Sequence, residues 1–147
     1  MTFIRCARAE DAARIAEIEI FNYRLNFYPI FQNDEFYFRE LQVPARMEMY
    51  KGTLDQLWVY DDGTVKGFVQ IADQEVKKLF VEPCLQGMGI GARLLEYAKA
   101  EKNVHFLWAL EKNQRAIAFY ERHGFHPSGE KKPEEGTAEY LLRLECR

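Results

Sequence analysis

Gln86-Gly87-Met88-Gly89-Ile90-Gly91 stands where a strand-like run gives way to a helix-like run. Ahead of it lie Val76, Leu79, Phe80 and Val81, closed by Pro83; behind it Ala92, Leu94, Leu95 and Ala98 recur at helical spacing. Three glycines at a helix mouth leave several backbone N–H groups unobstructed by side chains. Those amides lack intrahelical partners and sit at the positive end of the helix dipole. Such a turn favours a bound anion, most often a phosphate or pyrophosphate. Bare glycines admit a second reading, in which they only let the helix pack closely on the strand. The rest of the chain has to decide between the two.

Upstream, residues 57–60 and 65–72 read as strands joined by the tight turn Asp62-Gly63, and residues 75–81 form a third after Asp73-Gln74. Further upstream, residues 3–6 suit a first strand, and Ala12, Ile15, Ala16 and Ile18 mark a first helix starting near Ala9. Residues 21–38 are dense in aromatics, with Pro29 as a breaker. Asn33-Asp34 looks like the cap of a second helix that Pro44 interrupts or ends. Aromatic rings usually serve the core, yet a long aromatic connection is also how a pocket wall is built.

Downstream, the helix after the glycine turn runs to about Lys102, and residues 105–110 form another apolar strand. Asn113 caps a helix patterned by Ala116, Ile117, Phe119 and Tyr120, which Gly124 ends in the left-handed conformation. Residues 125–130 and 138–145 make a final pair of strands. The order β-α-α-β-β-β-α-β-α-β-β defines an α+β fold with about seven strands and about four helices.

The 147 residues fit a single domain spanning 1–147. A formal net charge of −3 argues against general nucleic-acid binding. Cys6, Cys84 and Cys146 lack zinc or disulfide spacing, and His105, His123 and His126 lack metal-ligand spacing, so no metal is expected. With no secretory leader pattern and no membrane-length apolar run, the expected location is cytoplasmic.

The turn is not the G-x-G-x-x-G of a dinucleotide fold, since it comes mid-chain after antiparallel strands, and it lacks the Gly-Lys-Ser/Thr of a Walker loop. The segments 79–91 (LFVEPCLQGMGIG) and 111–125 (EKNQRAIAFYERHGF) together resemble the GCN5-related N-acetyltransferase (GNAT) superfamily. The resemblance spans residues 76–125 closely and the flanking elements in order only.

It implies a central, mostly antiparallel twisted sheet splayed between its fourth and fifth strands, with a bulge near Val81. It also implies acetyl-CoA as donor and direct transfer of the acetyl group to a primary amine. The backbone from Gln86 through Gly87, Met88, Gly89 and Ile90 to Gly91 would hold the pyrophosphate. Leu79, Phe80 and Val81 would flank the pantetheine arm, with the Val81 amide near the thioester carbonyl. Asn113 would contact the cofactor, and Tyr120 would contact its sulfur and protonate the leaving thiolate.

Glu75, six residues before Val81, corresponds to a general base of some members; strand alternation would put 75, 77, 79 and 81 on one face, subject to the bulge. A solvated glutamate beside Lys77 and Lys78, themselves expected to face solvent or to meet a CoA phosphate, is the competing reading. Glu111 and Glu82 are weaker candidates.

Residues 20–55 carry no inherited roles, but Tyr23, Tyr28 and Tyr37 offer hydroxyls to an acceptor. That acceptor is a small-molecule or peptide amine, with the protein a monomer or homodimer and neither nucleic acid nor membrane a partner. A non-catalytic acyl-CoA-binding module on the same fold is the alternative, and a nucleotide-binding domain a third.

Overall fold

The computed structural model describes residues 3–146. Strands β1 (Ile4–Cys6), β2 (Leu57–Asp61), β3 (Val65–Ala72), β4 (Glu75–Val81), β5 (Phe106–Leu110), β6 (His126–Pro133) and β7 (Tyr140–Glu145) form one sheet in the order β1-β2-β3-β4-β5-β7-β6. Every pairing is antiparallel except β4 with β5. The α-helices are α1 (Ala12–Asn22), α2 (Tyr28–Phe31), α3 (Val43–Lys51), α4 (Ile90–Lys102) and α5 (Gln114–Arg122). The expected α+β class and splayed sheet are present. No helix among the described residues is long and apolar enough to cross a membrane.

Residues 21–41 depart from the expected pattern. Two π-helical turns, Tyr23–Phe27 and Glu35–Glu40, flank the short α2. Asn33 does act as a cap, its side chain accepting from the Phe36 amide at 3.0 Å. Pro44, expected to end a helix, sits in the first turn of α3 instead. Proline lacks an N–H that the first turn would leave unpaired in any case, so that position tolerates it.

The sheet is covered on both faces. On one, α4 and α5 bury Leu94, Leu95, Ala98 and Ile117 against Val69, Val76, Leu107 and Phe125. On the other, Ile15 and Ile18 of α1 and Tyr50 of α3 pack on Leu57, Val59 and Phe68. Gly124, at φ +89°, closes α5 so that the Phe125 amide reaches back to the Tyr120 carbonyl at 3.0 Å, and the fully buried Phe125 ring folds under the helix.

The splay is visible in the pairing itself. β4 meets β5 only at Glu75–Phe106 and Val76–Leu107, an end also held by the His105 amide donating to the Gln74 carbonyl at 2.8 Å. Beyond it β4 stays paired with β3 as far as Val81, and β5 stays paired with β7 as far as Leu110. The two strands therefore part while each keeps its outer neighbour.

The register break in β4 falls at Lys77, opposite the step from Gln70 to Ile71, rather than near Val81. This corrects the expected bulge position and has a consequence for side-chain direction. Val76, Leu79 and Val81 all join the core under α4 and α5, whereas Phe80 packs with the α1 and α3 core. The extra residue at Lys77 lets Val76 and Leu79 share a face although they are three apart, so Glu75 lies off the face of Leu79 and Val81.

Replacing Phe125 by Ala removes a fully buried ring from the core under α4 and α5. Urea unfolding of Phe125→Ala is expected to show a loss of about 3–5 kcal/mol relative to the parent protein.

Candidate active site

The parting of β4 from β5 opens a cleft of about 1090 Å³ that passes between the strands. Its α4/α5 side is lined by Gln86, Gly87, Gly89, Ile90, Gly91, Asn113, Phe119 and Tyr120; its other side by Asn22, Tyr23, Phe27, Phe31, Tyr37, Lys78 and Phe80. The β6–β7 connection adds Glu134 to Glu139.

At the glycine turn the three glycines are not equivalent. Gly87 and Gly89 adopt φ of +85° and +84°, a conformation that L side chains rarely take, and a Cβ at either would meet nothing within 4 Å. Their absence of side chain serves backbone direction and access. A Cβ on Gly91 would lie 3.5 Å from Phe119 and 3.6 Å from Val81, ordinary contact distances, so neither close packing nor backbone conformation demands a glycine there.

The Arg93 amide, donating to the Gly89 carbonyl at 3.1 Å, is the first of α4 to be satisfied, and the amides of residues 87–92 have no partner among the described residues. That is a ready anion cradle. The Met88 side chain is 64% exposed and does not line the cleft, so Met88 offers only its backbone.

Backbone direction along β4 follows from one bond. The Glu82 amide donates to the Lys66 carbonyl of β3 at 2.9 Å, so alternation turns the backbone of Val81 and Leu79 toward the cleft. The Val81 carbonyl there accepts from the side chains of Asn22 at 2.9 Å and Gln86 at 3.3 Å, and Gln86 also donates to Asn22 at 3.1 Å. Two side chains thus take the place that β5 would fill in a continuous sheet. Asn22 is 2% exposed and escapes sequence reasoning, because a polar residue at the end of an apolar helix gives no signal.

Tyr120 lines the cleft, and no hydrogen bond to its hydroxyl exists among the described residues. No buried side-chain polar atom there lacks a partner, so this hydroxyl opens into the cleft. Burial of the side chain pushes its pKa up to about 12, which keeps it protonated. Asn113 caps α5, its side chain accepting from the Ala116 amide at 3.3 Å, and also lines the cleft.

Of the three tyrosines expected at the acceptor, Tyr23 and Tyr37 line the cleft and Tyr28 does not. The Tyr28 hydroxyl donates to Asp34 and its ring packs edge-on against Tyr37 and Phe38, so it staples the segment shut.

Glu75 is likewise outside the cleft lining. It sits at the closed end where the strands still pair, its carboxylate 3.2 Å from Lys77. Glu82 is paired with Arg14 at 3.0 Å and Glu111 with Lys131 at 3.2 Å, and neither lines the cleft.

Lys78, expected in solvent, instead reaches inward. Its Nζ lies 2.6 Å from Glu19 Oε2 and 3.0 Å from the Tyr50 hydroxyl. Glu19 is fully buried, grips Arg46 through both carboxylate oxygens at 2.6 and 3.0 Å, and accepts a further bond from Tyr50. Burial alone would raise the Glu19 pKa, but Arg46, Lys78 and Tyr50 together hold it below the usual value. Burial and the Glu19 charge push the Tyr23 hydroxyl well up.

A family model described as an acetyltransferase (GNAT) domain matches residues 53–127, and the chain belongs to that family. The peptidyl-lysine N-acetyltransferase YiaC of Escherichia coli (strain K12) is 38% identical over 73 residues, 48% of this chain and 50% of that protein. The matches span only about half to three fifths of the length of the curated relatives.

The solution structure of apo-form YjaB from Escherichia coli shares the fold with a TM-score of 0.72, at 23% identity over 97% of this chain and 95% of that one. The PaiA N-acetyltransferase from Thermoplasma acidophilum, solved in complex with coenzyme A, gives a TM-score of 0.65 at 20% identity, covering 97% of each chain.

The Glu19 cluster has a pH signature. A carboxylate whose folded pKa lies below its unfolded one adds stability above the unfolded value, and loses it as pH falls through the folded value. As pH falls below the unfolded glutamate value of about 4.5, the parent protein should lose more stability than Glu19→Gln does. At pH 7 Glu19→Gln should be less stable by about 3–5 kcal/mol, because two cations lose their buried counter-charge. Denaturant titrations at several pH values measure both.

Proposed function

We propose that the protein is an acetyl-CoA-dependent N-acetyltransferase that moves the acetyl group directly to a primary amine in a ternary complex. The observation that carries this reading is the cleft through the parted strands, with an amide-lined turn at one side and an aromatic wall at the other. Acetyl-CoA is the donor. Its pyrophosphate would rest on the amides of residues 87–92, and its pantetheine arm would pair with the free backbone edge at Leu79 and Val81.

The thioester carbonyl would then lie within reach of the Val81 amide, a donor for the oxyanion. The amine nitrogen forms a bond to the carbonyl carbon, the C–S bond breaks, and Tyr120 gives its proton to the leaving thiolate. Asn113 would hold the cofactor from the start of α5. Residues 1–147 act as one catalytic domain in this reading, and the cytoplasm is its expected location.

The acceptor we propose is a lysine side chain of a peptide or protein. The name of the E. coli relative supports this, as does the cleft itself. Its aromatic half, with Tyr23, Phe27, Phe31 and Tyr37, suits the apolar stem of lysine, and Glu134 and Glu135 suit a cationic approach.

Acetyl-CoA at a hundred times its Kd should stabilise the protein by about 2.7 kcal/mol, read as a rise in Tm, and an unmoved Tm at millimolar ligand contradicts the donor assignment. Stabilisation without thiol release for any amine or lysine peptide identifies the non-catalytic alternative. Tyr120→Phe should lower kcat by about a hundredfold or more while leaving acetyl-CoA affinity nearly intact. Unchanged turnover removes Tyr120 as the acid.

A further inference from the structure

Acetyl transfer to lysine poses a proton problem, and its solution here rests on the proposed transfer reaction. A lysine amine with its ordinary pKa of about 10.4 is an ammonium near neutrality and carries no free lone pair. The three glutamates considered from the sequence as bases lie outside the cleft. The carboxylates that line it, Glu134, Glu135 and Glu139, all come from the β6–β7 connection, where Glu139 is engaged by Lys112 at 3.1 Å. β4 presents a cation to the acceptor side instead.

That cation is part of an unbalanced cluster. Glu19 supplies one negative charge, and Arg46 and Lys78 each supply a positive one, all within hydrogen-bond distance of the same carboxylate. One positive charge is left uncompensated. Arg46 does not line the cleft and Lys78 does, with its side chain 20% exposed. The excess charge therefore faces the space an acceptor must cross.

The groups around Lys78 do not cancel it. Tyr50 and Tyr23 contribute neutral hydroxyls and rings, the latter 6.0 Å away. Gln70 opposite on β3 is neutral and bonded to Gln56. Lys77 and Glu75 neutralise each other. Across the cleft stand Glu134 and Glu135.

We propose that Lys78, ion-paired with the buried Glu19 at 2.6 Å, is the positioning residue that keeps an incoming primary amine neutral and nucleophilic. Two ammonium groups in one partly desolvated space repel. Burial pulls the Lys78 pKa down and the Glu19 charge opposes that, so the acceptor, which lacks the buried Glu19 as its partner, is the one that releases its proton to water. Glu134 and Glu135 attract the cationic acceptor to the cleft, and Lys78 discharges it there. The neutral nitrogen then bonds to the thioester carbonyl carbon, the C–S bond breaks, and the thiolate takes its proton from Tyr120. The acetylated nitrogen loses its extra proton to solvent, which reprotonates Tyr120.

The test is the pH dependence of kcat with a lysine peptide, for the parent protein, Lys78→Arg and Lys78→Met. In the parent and in Lys78→Arg, which keeps the charge but cannot act as a base, kcat should hold down to a pH well below the ordinary lysine pKa. In Lys78→Met the acidic limb should move up by a pH unit or more, with at least a tenfold loss at pH 7 that recovers at high pH.

A peptide carrying S-aminoethylcysteine, a less basic lysine analogue, should rescue Lys78→Met more than it helps the parent. A limb unmoved by Lys78→Met overturns the proposal, as does a loss in Lys78→Arg as complete as in Lys78→Met, or a parent limb at the ordinary lysine value. The last needs no variant, so it decides even where Lys78→Met does not fold. No thiol release with any amine defeats the transfer reading itself and this proposal with it.

Discussion

The carbonyl of Val81 would, in an uninterrupted sheet, accept a hydrogen bond from β5. It accepts instead from the side chains of Asn22 and Gln86, and the site depends on that exchange. Backbone groups buried without partners are costly, so strands do not part freely. Here a helix-end asparagine and the first residue of the glycine turn supply the missing donors. They also tie three elements together, α1, β4 and the turn, at the mouth of the opening. The Val81 and Leu79 amides on the same edge have no partner among the described residues, so the opening presents free backbone donors as well as a gap.

The second constraint is electrostatic and lies on the opposite side of the strand. Glu19 is fully buried and gathers Arg46, Lys78 and Tyr50 around one carboxylate, joining α1, α3 and β4. A buried carboxylate with this many donors stays ionised. The cluster pins α1 and α3 to the sheet and brings a lysine to the cleft. Structure and proposed chemistry share these residues: the charge that stabilises the helix packing is the one proposed to discharge the acceptor amine.

Features encoded by local sequence were legible, and those encoded by distance were not. The glycine turn, the Asn113 cap and the Gly124 stop are each decided by a few consecutive residues, and each stands where expected. Pro44 misled because proline both ends helices and begins them, and only the following turn decides which. Glu75 was misplaced by a single extra residue: the register break at Lys77 moves its side chain off the face of Leu79 and Val81. The Glu19 cluster joins residues 27 and 59 positions apart, and no periodicity records such a meeting. The same holds for Asn22 and Val81, also 59 apart. Tyr28 was a hydroxyl in an aromatic run, and only the fold shows that Asp34 occupies it.

If the opened edge of β4 and the amides of residues 87–92 together receive coenzyme A, those backbone groups must respond to it first. Amide-resolved NMR during titration with coenzyme A reads them directly. The largest chemical-shift changes are expected on residues 87–92, Leu79, Val81 and Asn113, and the Val81 amide should become protected from hydrogen exchange. Saturating coenzyme A that leaves those amides unmoved, or that perturbs the far edge at β1 and β2 instead, would contradict this assignment.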